Sequence, residues 1–485
     1  MQVAGGSRSS HDPACLGQAP TARRLVVSAL FFFPRGGSAQ VARSLARALP
    51  AADWQMTLAA GSLGHSGEPT HAASFFAGID VTPLDYSPAL EFANPLAAPV
   101  PLPPSYEDRP GAPDRVFAAV DDGAYERLVA AWIDLLARAG ADAADVLHLH
   151  HLTPANEAAR RRFPSVPAVG QLHGTELALL RTIEAGAPPG WRYAQDWGRR
   201  MRAWAGRCAM LVVPPGAEAD AALLLGLERA KLCGIPSGVE LERFSRRPLV
   251  GEERFAFWRR WLVEQPRGWD ESGRPGSIAY TDAELAPFRA GGSVFIYMGR
   301  FTAVKRLPLL ISAHARAVER LGKPAPLVLV GGHPGEWEGE HPLATARRIG
   351  NRQVFLAGWR PHEELPQALN AADALVLPSV AEAFGLVLIE AMACGLPVIA
   401  CRAHGPAAIV AEGRTGWLVW PDDEEALVDA LVHAASDPKE RREYGSRARA
   451  ESRRYAWPMV ARRFAGLYEE LLVSPQESQT EAREG

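Results

Sequence analysis

Two glutamates, Glu382 and Glu390, stand in an otherwise apolar stretch of this 485-residue chain, residues 378–404, and are the first sign of chemistry. The stretch reads PSVAEAFGLVLIEAMACGLPVIACRAH. An ionised carboxylate in apolar surroundings is costly unless a ligand or a charge pairs with it. The two residues therefore point to a binding site.

The pattern predicts a helix over 386–394, which Gly395 terminates, and Phe384 and Gly385 form the approach to it. The first N–H groups of a helix have no partner within it and carry the positive end of its dipole, so they suit an anion such as a phosphate. Carboxylates on either side of such an anion site suit a ligand that has both phosphates and sugar hydroxyls. The alternative is that Glu390 lies on the solvated face of an amphipathic helix.

A cationic pair, Arg300 and Lys305, lies between a predicted strand at 294–298 and a helix that starts at Leu307. Arginine offers a planar fork and lysine a point charge, which suits the two phosphates of a leaving nucleotide. Positive charges at a helix start are disfavoured by the dipole, and an anionic ligand would remove that conflict.

The segment EAFGLVLIE at 382–390 resembles the E-x7-E element of the retaining glycosyltransferases of family 4, which have the GT-B fold. Further similar segments cover most of residues 23–473, apart from an insertion near the middle. The resemblance implies an α/β fold of two Rossmann-like domains whose parallel sheets face each other across a cleft. It also implies that Glu382 lies beside the donor sugar and that Glu390 binds ribose hydroxyls. The helix N-terminus at Phe384, Gly385 and Leu386 would then bind the donor phosphates.

Three other segments match this family. Arg300 and Lys305 fit its G-R-x-x-x-x-K element, which neutralises the diphosphate. His173 begins His-Gly-Thr-Glu, which is similar to the H-G-T-D/E element whose histidine lies beside the donor sugar. Gly36 and Gly37 follow the first predicted strand, where the family has a Gly-Gly loop near the donor phosphates; the alternative is that they only close a tight turn.

Gly332 and Trp359 complete the predicted donor site. Gly332 follows a strand at 327–330, where the family has a similar glycine turn. Trp359 follows a strand at 354–358, whose end meets the nucleobase in the family. The hinge segment at 235–244 is also similar, although Ser237 replaces the usual asparagine.

Three histidines, His148, His150 and His151, end another predicted strand. Strand alternation places His148 and His150 on one face, but no carboxylate or thiolate nearby completes a metal site. The sequence also lacks a D-x-D motif for a divalent ion. We therefore predict no metal, and histidines that are structural or line the acceptor site.

A chain of this length predicts two domains. The predicted organisation is a disordered leader at 1–22, an acceptor domain at 23–236 with a crossing helix at 458–473, a hinge and insertion at 237–292, a donor domain at 293–457, and a disordered tail at 474–485. Residues 83–114 are rich in proline and predict a long irregular excursion that sets acceptor specificity. The insertion carries three tryptophans, which suggest packing against the domain interface, a partner subunit or the acceptor.

The net charge of −3 and the scattered arginines exclude a nucleic-acid-binding footprint. Five widely spaced cysteines are typical of reduced thiols in a cytoplasmic protein. No apolar run approaches the length of a membrane span, so the basic run at 160–162 predicts at most a peripheral membrane contact.

These features predict a metal-independent retaining glycosyltransferase with no cofactor. Its co-substrate would be a nucleotide-diphosphate sugar, most simply a UDP- or GDP-sugar, and its acceptor a carbohydrate, a lipid-linked sugar or a small molecule. Nucleotide-sugar epimerases, phosphorylases and non-catalytic nucleotide-sugar sensors remain alternatives. A dinucleotide oxidoreductase is disfavoured because the G-x-G-x-x-G motif is missing after the first strand.

Overall fold

The computed structural model describes residues 23–108 and 113–484, with the side chains of the last helix described up to residue 473. The predicted leader at 1–22 lies outside the described residues. Two parallel sheets form the framework, one of seven strands and one of six. The predicted α/β architecture with two Rossmann-like domains is thereby confirmed.

The first domain is built on a sheet with strand order β3-β2-β1-β4-β5-β6-β7. Its central strands are short apolar runs buried on both faces, as expected when helices cover a parallel sheet. Its strands are β1 Arg24–Leu30, β2 Trp54–Ser62, β3 Val81–Asp85, β4 Val146–His150, β5 Ala168–Gln171, β6 Met210–Val213 and β7 Leu232–Gly234. Its helices are α1 Gly37–Ala48, α2 Ala72–Phe75, α3 Asp122–Arg138, α4 Pro154–Arg162, α5 Thr175–Gly186, α6 Ala194–Arg207 and α7 Glu218–Leu225.

The second domain has strand order β10-β9-β8-β11-β12-β13. Its strands are β8 Phe295–Gly299, β9 Leu327–Gly331, β10 Val354–Gly358, β11 Ala374–Leu377, β12 Val398–Cys401 and β13 Gly416–Val419. Its helices are α8 Gly251–Arg259, α9 Ala286–Arg289, α10 Leu307–Leu321, α11 Pro342–Ile349, α12 Leu365–Asn370, α13 Leu386–Ala393, α14 His404–Ile409, α15 Glu424–Ser436 and α16 Pro438–Ser452. The short helix α13 ends as the sequence predicts, because Gly395 has a left-handed φ of 77° and its N–H donates to Met392 O at 2.9 Å.

The insertion at 245–292 belongs to the core of the second domain. Trp258, Trp261 and Trp269 are buried in the same hydrophobic cluster as β8 to β12. Trp258 donates its indole N–H to Ala371 O at 3.1 Å, and Trp269 donates to Gly332 O at 3.2 Å. The tryptophans therefore complete a domain core, and their interpretation as part of a surface insertion facing another domain, subunit or ligand was wrong.

The two domains are joined at a hinge where two chain segments run side by side. Val239 N donates to Tyr455 O at 2.8 Å. Just beyond, helix α17 Trp457–Glu484 leaves the second domain and packs on the first, where Phe464 and Tyr468 join the cluster that covers β1 and β2. The backbone of 474–484 continues this helix, where the sequence predicts a disordered tail. Among the described helices, none combines the length and apolarity that crossing a bilayer requires.

Candidate active site

The loops at the carboxyl ends of the two sheets meet around the Glu382 loop. A Cβ atom built on Gly37, at the start of α1, would lie 3.3 Å from Cδ1 of Leu386. A Cβ atom built on Gly174, which follows His173, would lie 2.4 Å from Cβ of Ala383, closer than two carbons can approach. The first domain therefore brings two glycine-containing loops against the start of α13.

The N-terminus of α13 lies beside these two loops. Gly385 is its N-cap, with a left-handed φ of 95°, and the described side chains provide no hydrogen-bonded cap and no acidic residue in the first turn. Phe384 precedes it and is buried against Tyr455, with ring centroids 6.0 Å apart. Leu388 N already bonds Gly385 O at 2.9 Å, so the N–H groups before Leu388 are the candidates for binding an anion.

Glu390 is buried and faces the first domain, which excludes the solvated-helix-face alternative. Its Oε1 lies 2.7 Å from Nε2 of His362, and the ring of His362 packs on Phe244 in the hinge segment. A cavity of about 10 Å³, roughly the room for one water molecule, separates Glu390 from Gln40 of α1. Sequence reasoning missed His362, because only the folding of α12 beside α13 brings the two together.

Each cation of the predicted diphosphate site is held by a carboxylate. Lys305 Nζ contacts Glu382 Oε2, and both side chains are mostly buried. Arg300 forms a bidentate pair with Glu107 of the first domain, Nη1 to Oε2 at 2.5 Å and Nη2 to Oε1 at 2.8 Å. Burial opposes ionisation of Glu107, but its hydrogen bonds with Arg300 hold the pKa of the carboxyl below its usual value. The same bonds raise the pKa of Arg300.

His173 belongs to a buried histidine cluster. Its Nε2 lies 3.0 Å from Nδ1 of His150, and its backbone N–H donates to Glu176 at 3.2 Å. Glu176 also bonds Nδ1 of His151 at 2.5 Å. Burial lowers the pKa values of His150 and His173 well below the usual range, so both rings are neutral at pH 7.

His148 lies at the back of this cluster and links it to the last helix. Its Nδ1 lies 2.6 Å from the hydroxyl of Tyr468, and its Nε2 lies 2.9 Å from Oε1 of Gln171. Burial lowers the pKa of His148 to about 4. Within the described residues, no group of three or more His, Cys, Asp or Glu side chains is arranged to hold a metal ion.

Three other residues of the predicted donor site are described by their backbone conformation, contacts or exposure. Gly332 has a φ of 64°, its N–H bonds Gly299 O and its carbonyl accepts from Trp269, so both of its backbone groups are engaged within the domain. Trp359 is exposed and directly follows β10, so its base-binding role, which the sequence predicts through backbone groups, stays a prediction. Gly36 is the extended N-cap residue of α1, and a Cβ atom built on it would meet no other atom within 4 Å.

Comparison with known proteins finds two family models in succession along the chain. The model of Glycosyltransferase Family 4 matches residues 35–243, and that of Glycosyl transferases group 1 matches residues 285–451. The D-inositol 3-phosphate glycosyltransferase of Corynebacterium urealyticum is 36% identical over 189 residues, 38% of this chain and 45% of that protein. The protein of the same name from Nocardia farcinica is 35% identical over 193 residues, 39% of this chain and 42% of that protein. The matched region thus spans less than half the length of these relatives.

Solved structures resemble the whole chain. A sucrose-phosphate synthase from Thermosynechococcus elongatus has a TM-score of 0.64 at 20% identity, covering 93% of this chain and 100% of that one. HepE of Anabaena in complex with UDP and glucose has a TM-score of 0.64 at 19% identity, covering 92% and 99%. At such identities the likeness shows a common fold.

Proposed function

The chain belongs to the family 4 glycosyltransferases of the GT-B fold, and we propose that it transfers a sugar from a nucleotide-diphosphate sugar to an acceptor hydroxyl with retention of configuration. The observation that carries the proposal is the convergence at the N-terminus of α13. Two glutamates, Lys305 and the loops of Gly37 and His173 meet there, and Arg300 lies near enough to interact with the charge of Glu382.

The proposed donor lies with its diphosphate at the first N–H groups of α13, beside Lys305 and Arg300. Glu390 accepts hydrogen bonds from the ribose hydroxyls. Glu382 and His173 face the transferred sugar from opposite domains. Because a helix N-terminus and two cations neutralise the diphosphate, the reaction needs no divalent ion.

In the proposed reaction, the bond from the anomeric carbon to the β-phosphate oxygen breaks while the acceptor oxygen bonds to the same face of the sugar. The acceptor proton passes to the departing phosphate, which leaves as part of a nucleoside diphosphate. Such a front-face transfer retains the anomeric configuration without a protein nucleophile.

Two comparisons support the classes of substrate. HepE is described in complex with UDP-glucose, which favours a UDP-sugar donor, with a GDP-sugar as the second choice. The curated relatives are named for D-inositol 3-phosphate, which favours a small polyhydroxylated acceptor over a polymer. We propose cytoplasmic action, where nucleotide-sugars are made.

The test is a thermal-shift screen of UDP-, GDP- and ADP-sugars, followed by turnover of every binder with a panel of polyol and sugar acceptors. We expect one nucleotide class to stabilise the protein and NMR of the product to show the donor's anomeric configuration. An inverted product would refute the mechanism. A protein that binds a nucleotide-sugar but turns over no acceptor would favour a sensor.

A further inference from the structure

The bidentate pair of Arg300 and Glu107 joins the two domains across the cleft. Arg300 follows β8 of the second domain, and Glu107 lies in the irregular segment between β3 and α3 of the first. A carboxylate matched to the guanidinium fork at 2.5 and 2.8 Å offers Arg300 the same geometry that a phosphate would offer. Glu107 therefore occupies the place of an anionic ligand.

Glu107 is held there by its neighbours in the chain. Tyr106 is buried and donates its hydroxyl to Leu152 O at 2.8 Å. Asp108 accepts from the indole of Trp191 at 3.0 Å. The backbone N–H of Glu107 itself donates to Ser105 Oγ at 3.1 Å. Anchors on both sides give Glu107 a built position and distinguish it from a mobile surface acid.

Both terminal nitrogens of the Arg300 fork are already occupied by the two oxygens of Glu107. A diphosphate that reaches Arg300 must therefore displace Glu107 or share the guanidinium with it. The carboxylate and the diphosphate repel each other, because both are anions within a few ångströms of one cation.

We infer that Glu107 is a further residue of the donor site, contributed by the first domain, and that it competes with the donor diphosphate for Arg300. The inference rests on the proposed function. Glu107 lowers the affinity of the site for anionic ligands, so that only a strongly anionic group displaces it. Its carboxylate leaves Arg300 when the donor binds. A pair that only stabilised the domain arrangement would have the opposite signature, since breaking it would weaken binding or leave it unchanged.

The test measures binding to wild-type protein and to Glu107→Gln by calorimetry, with inorganic pyrophosphate, UDP and GDP as probes. We expect Glu107→Gln to bind pyrophosphate and the preferred nucleotide at least tenfold more tightly. Uridine and guanosine, which lack phosphates, should show no gain. Asp108→Asn is the matched control, because it removes an equal charge one residue away while its amide oxygen can still accept from Trp191, and it should change affinity less than twofold.

A second comparison adds Glu107→Gln to the Arg300→Gln variant. There Glu107→Gln should raise the pyrophosphate affinity less than threefold, because the cation for which the two anions compete is gone. Unchanged or weaker pyrophosphate binding by Glu107→Gln, or an equal gain in Asp108→Asn, overturns the inference. If Glu107→Gln tightens pyrophosphate binding while no nucleotide binds either protein, the competition stands and the proposed function fails. If wild-type protein transfers sugar but Glu107→Gln shows no gain, the proposed function stands and the competition fails.

Discussion

Removing Lys305 should damage donor binding more than removing Arg300, because the two cations differ in exposure. The Lys305 side chain is 13% exposed and the Arg300 side chain 51%. Unit charges about 4 Å apart interact by about 4 kcal/mol at an effective dielectric constant of about 20 and by about 1 kcal/mol in bulk water. Arg300 is closer to the bulk-water value of about 1 kcal/mol, and the hydrogen bonds of its guanidinium to a phosphate add to this value, so Arg300→Ala should cost about 1.4 kcal/mol, or tenfold. Lys305→Ala should cost about 2 to 3 kcal/mol, roughly 30- to 160-fold, and also leaves Glu382 facing the diphosphate.

The assay is nucleotide binding by calorimetry together with steady-state kinetics on the donor. Arg306→Gln is the matched control, because Arg306 is the next cation in the chain and pairs with Asp422 on the surface. We expect its donor affinity to stay within twofold of wild type. Wild-type affinity and rate in Lys305→Ala or Arg300→Ala would refute the assignment of the diphosphate site. A larger loss in Arg300→Ala than in Lys305→Ala would refute the exposure argument.

Three further predictions concern the metal, the reacting groups and pH. Activity should survive a chelator, and a strict requirement for Mg²⁺ or Mn²⁺ would contradict charge neutralisation by the protein alone. Glu390→Gln should mainly raise the donor KM, whereas Glu382→Gln and His173→Ala should mainly lower kcat; intact kcat in the last two would place catalysis elsewhere. Burial lowers the pKa of His148 from 6.5 to about 4, so below pH 6.5 the unfolded chain binds a proton that the native state does not. The free energy of unfolding should therefore fall by up to about 3 kcal/mol as the pH drops from 6.5 to 4. Urea unfolding should show a smaller fall for His148→Gln than for the wild type, and an equal fall would contradict the assignment to His148.

The sequence predicts those parts of the molecule that depend on local signals. The helix α13, its glycine terminator and the parallel strands follow from patterns within a few residues, and the structure has them where predicted. The resemblance to the family also selected the residues that converge on the cleft, among them His173, Lys305 and Glu390.

Long-range partners could not be predicted in the same way. Glu107 meets Arg300 across 193 positions, from a proline-rich segment with no periodicity to place it. His362 reaches Glu390 only because two short helices pack side by side. The tryptophans of the insertion correctly predicted that this segment packs against another surface. An apolar side chain does not reveal which surface it covers, so the core of the second domain was not predicted as the partner.

The crossing helix α17 has a consequence for synthesis of the chain. Arg24 of β1 pairs with Glu469 of α17, 445 positions later, and Tyr468 closes over His148 on the same face. The last strand of the first sheet ends at Gly234, 235 positions before Glu469, so at about 5 to 20 residues per second a ribosome needs roughly 12 to 47 s to travel between the two. During that interval the sheet of the first domain is complete, but α17 has not yet covered the apolar groove around Trp54 and Val146. The second domain, complete by residue 455, is therefore able to finish folding before the first.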